Sequence, residues 1–312
     1  MKLALVFPGQ GSQSVGMMAG YEVFPVVRES FAEASAALGQ DLWALVSDGP
    51  EEALNQTVNT QPAMLAADVA VYRAWRAAGG AEPSLLAGHS LGEYAALVVA
   101  GALEFSAALP LVRFRAQAMQ EAVPAGVGAM AALMGLDESG IEAACAEAAQ
   151  GQMVEPVNFN APGQIVIAGH REAVERAVAV AKAKGAKRAL MLPVSAPFHS
   201  ALLKPAGEKL TVYLETVKVQ RPRLPVLHNV DVKVADSAEA VKAALAAQAA
   251  RPVRWIETIQ SLAAQGVTHV LECGPGRVLT GLVKRIAPEI EAMPLNDAEA
   301  IAAAIAALSG KQ

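Results

Sequence analysis

Cysteine is nearly absent from this chain. Cys145 and Cys273 are the two in 312 residues, too few and too far apart for a disulfide framework or a paired-cysteine metal site. Aromatic residues are also scarce, at 4%, which argues against a core built as an aromatic β-sandwich. Long apolar runs are missing. The stretch Ala95 to Leu103 is far short of the ~20 residues of a membrane span. The N-terminus, Met1 to Gly9, lacks the apolar region and cleavage site of a signal peptide. Basic charge is in deficit: Lys and Arg total 25 against 30 Asp and Glu, a net charge of −5. That balance argues against a general nucleic-acid binder. A soluble cytoplasmic protein with no nucleic acid or membrane partner is expected.

What remains is an alanine-rich chain, 54% hydrophobic and 18% charged. Such a composition suits helices packed on a parallel sheet. The length fits one large α/β domain carrying a smaller one. Leu3 to Phe7 is a continuous apolar run, as in a central parallel strand. It ends in Pro8-Gly9-Gln10-Gly11-Ser12-Gln13, a loop at the strand edge where open α/β sheets bind ligands. No Gly-Lys-Ser/Thr follows it, so it is not a phosphate-binding loop. A helix is expected to begin at Thr60-Gln61-Pro62 and to stop at Gly79-Gly80.

The sequence then reaches Gly88-His89-Ser90-Leu91-Gly92-Glu93. A short apolar stretch precedes it and an apolar helix to Ala100 follows. Gly-x-Ser-x-Gly between strand and helix is the pattern of a nucleophile elbow, whose tight turn pushes a serine hydroxyl into the open. Glu93, in the first helical turn, suits the helix dipole. A second helix, capped by Ser106, should run to about Val123. On its wheel Arg115 shares a face with Leu111, Val112, Ala118 and Met119. A buried arginine needs an anion, either a protein carboxylate or a ligand's.

Pro124 to Gly128 breaks the pattern. Beyond it the order is strand (129–136), helix (137–150), two strands (154–159 and 164–168), helix (171–184) and strand (188–192). This βαββαβ order marks a ferredoxin-like unit, placed at 126–194 between large-domain segments 1–125 and 195–312. The chain returns through Pro193-Val194-Ser195-Ala196-Pro197-Phe198-His199-Ser200. Of the five histidines, His199 is favoured as a base for Ser90, because it lies in a proline-rich loop at the domain junction and follows the serine in chain order. His228 is its rival. His89 adjoins the serine but points away, and His170 and His269 sit at element ends. Glu272-Cys273-Gly274-Pro275-Gly276 is either a second loop at the site edge or a structural turn. A short terminal helix covers 296–309.

Six stretches together resemble the malonyl-CoA:acyl-carrier-protein transacylase family of fatty acid synthesis: Phe7 to Gln13, Gly88 to Tyr94, Arg115 with Met119-Gln120, Asn158 to Gln164, Phe198-His199 and Gly274 to Gly276. The likeness covers nearly the whole chain. It implies an α/β-hydrolase-like large domain with a parallel sheet, an inserted ferredoxin-like small domain, and a site between them. It implies Ser90 as nucleophile and His199 as base, in a dyad whose histidine is held by a backbone carbonyl near Gln248. Asp231 would be the candidate for a third, carboxylate member. The backbone amides of Gln10 and Leu91 would form the oxyanion hole. Arg115 would take the malonyl carboxylate, with Met119, Asn160 and Phe198 beside it, and Phe198 would crowd a 2-methyl branch. No cofactor or metal is implied, only malonyl-CoA and the phosphopantetheine of an acidic acyl carrier protein, acting on a monomer. The carrier would dock on Lys182, Lys184, Lys187 and Arg188, or on Lys284 and Arg285. The rival readings are an acyltransferase of polyketide synthesis or malonate decarboxylase, a serine hydrolase or thioesterase, and a non-catalytic carrier-binding scaffold.

Overall fold

The computed structural model describes residues 1–194 and 196–309. Ser195, where the second large-domain segment was expected to start, and residues 310–312 at its end lie outside them. Two sheets organise the chain. The larger has five parallel strands in the order β7-β2-β1-β8-β9: β1 (Leu3–Phe7), β2 (Leu85–Gly88), β7 (Val226–Leu227), β8 (His269–Glu272) and β9 (Glu291–Pro294). β1, β2 and β8 are buried throughout, which is why their sequences are apolar without alternation.

The smaller sheet is antiparallel, in the order β4-β5-β3-β6: β3 (Gly128–Met134), β4 (Val154–Ala161), β5 (Gln164–His170) and β6 (Arg188–Met191). Helices Glu138–Ala149 and Arg171–Ala183 complete the expected βαββαβ order. The first is capped by Asp137, whose carboxylate accepts from the Gly140 amide. The small sheet does not hang free. Val253 donates to Val157 O and accepts from Phe159 N, and Met130, Val157, Val166 and Ala168 join the main core of the large domain.

Several expectations need correction. The helix expected to begin at Thr60 to Pro62 runs Thr57–Ala77 with Pro62 inside it. Burial on nearly every side stabilises this helix enough to tolerate one missing N–H bond. The helix expected to be capped by Ser106 is Phe105–Glu121, so Ser106 lies within it rather than capping it. Residues 25–60 contain the 14-residue helix Pro25–Leu38. Strands β7 and β9 and helices Lys204–Glu215 and Ala238–Gln248 were not anticipated. Two- and four-residue strands are too short to show a period.

Candidate active site

β1 and β2 run side by side and end together, with Phe7 opposite Gly88. The elbow and the Gln10 loop therefore meet at one sheet edge. Both elbow glycines are obligatory by contact. A Cβ on Gly88 would lie 1.9 Å from the Gly92 carbonyl carbon, and one on Gly92 would lie 2.0 Å from Phe7 O. The turn leaves Ser90 at φ 53°, the strained conformation the motif requires.

His199 also has positive φ, 65°, and is buried. Its Nε2 lies 2.7 Å from Ser90 Oγ and its Nδ1 lies 2.9 Å from Gln248 O. A carbonyl only accepts, so Nδ1 carries the proton and Nε2 is left as an acceptor for the serine hydrogen. Burial, and then the nearby Arg115 charge, lower the imidazole pKa to about 3. The ring is thus a neutral base at ordinary pH. A backbone carbonyl does the orienting work that a carboxylate does in a triad.

Arg115 is 2% exposed. Nη1 donates to Gln61 Oε1 at 2.6 Å, and Nη2 donates to Gln248 Oε1 at 2.8 Å and to Ser90 Oγ at 3.1 Å. Burial lowers its pKa, opposed by Tyr94 and Glu93, and its guanidinium lies 5.3 Å over the Tyr94 ring. Among the described residues it forms no ion pair, and its Nε has no hydrogen-bond partner. A buried cation held only by neutral oxygens is under-compensated until an anion arrives. Of the two partners considered from sequence, the protein carboxylate is absent from this group.

These residues enclose a cavity of about 120 Å³ lined by Gln10, Leu91, Arg115, Met119, Phe198 and His199, with Ser90. That is well below the ~300–1,000 Å³ of pockets that enclose a drug-sized ligand. It suits a short acyl group, not its thiol carrier. A wider cleft of about 820 Å³ shares Gln10, Leu192 and Val194 with it.

An acyl transferase domain model matches residues 4–304. Malonyl CoA-acyl carrier protein transacylase of Escherichia coli K12 is 57% identical over 97% of this chain and 99% of its own. The chain belongs to the malonyl-CoA–acyl carrier protein transacylase family. A crystal structure of acyl-carrier-protein S-malonyltransferase from Burkholderia pseudomallei superposes with a TM-score of 0.97 at 59% identity, covering 98% of this chain and 100% of that one. A malonyl-transacylase solved with its type II polyketide acyl-carrier protein gives 0.97 at 57%, over 98% and 100%.

Within this family frame, some expected positions fall elsewhere. Asn160 Oδ1 accepts from His89 Nε2 at 2.8 Å and is not on the acyl cavity wall; Asn158 is. Residues two apart normally share a strand face, but β4 shifts register between Phe159 and Ala161, and that irregularity separates the two side chains. His89 Nε2 is held by Asn160, and its ring meets Trp255 edge-on. His228 and Asp231 are not on His199. His228 pairs with Glu93 at 2.7 Å, and Asp231 closes its own turn on the Lys233 amide. Glu272 accepts from Leu279 N and from both Thr280 groups, so the Glu272 to Gly276 turn is a helix cap. Sequence reading missed Gln61, Asn229 and the Gln248 side chain. The only available signal was a polar residue on an otherwise apolar helix face, as at Gln61.

Proposed function

We infer that this chain transfers the malonyl group of malonyl-CoA to the phosphopantetheine thiol of acyl carrier protein through a malonyl-Ser90 ester, supplying fatty acid synthesis. The observation that carries this reading is Arg115: a buried cation in the nucleophile's own pocket, held by amide oxygens and lacking a carboxylate. Malonyl supplies one. Its carboxylate forms a bidentate pair with the guanidinium, which sets the thioester carbonyl beside Ser90.

Ser90 Oγ attacks that carbonyl as its proton passes to His199 Nε2. The backbone amides of Gln10 and Leu91 receive the oxyanion. Collapse breaks the C–S bond, and His199-H⁺ returns the proton to the CoA thiolate. In the second half, His199 takes the proton of the carrier thiol. The thiolate attacks the ester, Ser90 leaves, and the proton goes back to its oxygen. Met119 and Phe198 close the acyl cavity. Residues 126–194 act as an inserted unit that roofs it.

The carrier docks on the edge strand β6. Lys187 and Arg188 are exposed there, beside exposed Leu190 and Met191, and the strand leads to Leu192 at the cavity. The same chemistry serves a polyketide carrier in the solved complex of similar identity, so carrier recognition, not the acyl site, separates the two pathways. The deciding experiment is mass spectrometry of the chain after malonyl-CoA, with and without carrier. A malonyl adduct on Ser90 that moves to the carrier is expected. Free malonate with no malonyl-carrier would instead mean a hydrolase.

A further inference from the structure

One buried carboxylate has no task in that reaction. Glu93 is fully buried in the first turn of the elbow helix Gly92–Val99. A carboxylate serving only the helix dipole would be solvated. Glu93 instead collects three donors: His228 Nδ1 reaches Oε1 at 2.7 Å, and the Asn229 amide and Gln248 Nε2 reach Oε2 at 2.8 and 3.0 Å.

Two of those donors grip the nucleophile from opposite sides. Asn229, fully buried, accepts from the Ser90 amide at 2.7 Å through Oδ1 and donates from Nδ2 to Gly88 O at 2.6 Å. Its side chain thus bridges the elbow. The turn presenting it is itself strained, with β-branched Val232 at φ 58°. Gln248 Nε2 donates to Ser90 O at 2.9 Å. The same residue gives its side-chain oxygen to Arg115 and its backbone carbonyl to His199. One carboxylate oxygen therefore holds the Asn229 backbone and the Gln248 side chain, the two residues that hold the strained Ser90 peptide, and Gln248 also touches the base and the acyl-carboxylate site.

We propose that Glu93 is a positioning residue which, through Asn229 and Gln248, holds the Ser90 peptide, the carbonyl behind His199 and the Arg115 guanidinium in one fixed register. The proposal rests on the malonyl-transfer reading above. Nucleophile, base and acyl recognition then shift together if Glu93 is lost, whereas loss of Asn229 frees the nucleophile alone.

The test compares Glu93→Gln and Asn229→Ala with wild type, using thermal unfolding as a folding check. Single-turnover acylation of Ser90 is followed by mass spectrometry, with malonyl-CoA and acetyl-CoA. Both variants should fold and acylate about 10- to 100-fold more slowly, the scale of a small misplacement of reacting groups, with a smaller change in KM. Glu93→Gln should also narrow the malonyl-over-acetyl ratio, and Asn229→Ala should leave it as in wild type. Should Glu93→Gln not fold, Glu93→Asp carries the same comparison. Folded variants acylating within about twofold of wild type, or losses that merely track the folded fraction with the same acyl ratio in both, overturn the proposal. A wild-type chain that takes no malonyl onto Ser90 overturns the functional reading instead.

Discussion

At the residue scale, the proposed reading gives three side chains the task of setting what the site accepts and when. On the malonyl-transfer reading proposed above, Arg115 separates malonyl from acetyl, because acetyl would leave a buried guanidinium unpaired. Arg115→Ala should lower kcat/KM for malonyl-CoA by about 100-fold or more, with acetyl transfer kept or raised. Equal losses for the two thioesters would refute the pair. Phe198 stands in the cavity wall, and Phe198→Ala should raise methylmalonyl transfer by about tenfold, the scale of one methyl group in a tight pocket. His199 sets the pH behaviour. Its folded pKa, about 3, lies below the ordinary 6.5, so the unfolded chain binds the extra proton first. Stability is therefore lost as pH falls from 6.5 toward 3, while the base itself stays neutral. Denaturant midpoints over that range should fall less steeply in His199→Gln than in wild type. His228 has the opposite sign. Burial would lower its pKa, but the Glu93 charge and hydrogen bond outweigh that and raise it, so its contribution is present at low pH and fades as pH rises.

At the element scale, the elbow is a packing joint before it is a catalytic device. The helix Gly92–Val99 starts so close to β1 and β2 that no Cβ fits at either flanking position. The nearest atoms are backbone, which cannot swing aside. Gly88→Ala should therefore cost at least about 3 kcal/mol, read as a lowered urea midpoint, and no compensating rotamer exists. A midpoint within error of wild type would mean the turn is looser than these contacts allow. The helix Phe105–Glu121 shows the converse case. Its apolar face carries one cation, and the wheel alone located it, because a 3.6-residue period fixes which side chains face inward.

At the scale of the whole molecule, the small sheet is joined to the large unit by the backbone bonds at Val253 and by a shared core. Arg285 adds a further link, donating to Pro162 O and Gln164 Oε1 across the junction. No helix among the described residues is long and apolar enough to cross a membrane. With a net charge of −5, attraction for an acidic carrier must come from local patches rather than the overall field. Reversing both charges of the β6 patch, Lys187→Glu with Arg188→Glu, should raise the KM for carrier about three- to tenfold, as rim charges do, and leave Ser90 malonylation by malonyl-CoA unchanged. An effect confined to Lys284→Glu would move docking to the helix Val278–Ile286.

Local spacing was enough to locate the nucleophile turn and the buried arginine, since each follows from a turn or a period within one element; the βαββαβ order came from several such elements in succession, and the favoured histidine from its loop and its place in chain order. Likeness to a known family supplied the roles. What only the tertiary structure decided lies between residues far apart in the chain. The Ser90–His199 contact spans 109 positions and the Ser90–Gln248 bond 158, and no sequence period reports such distances. The choice of Asn158 over Asn160 for the cavity wall, the tautomer of His199 and the grip of Asn229 on the elbow depend on which backbone groups the fold brings together. Glu93 shows the limit most plainly. In sequence it is a helix-dipole carboxylate; in the folded chain the same atoms join His228, Asn229 and Gln248 behind the nucleophile, because burial removes water and leaves those donors as its partners among the described residues.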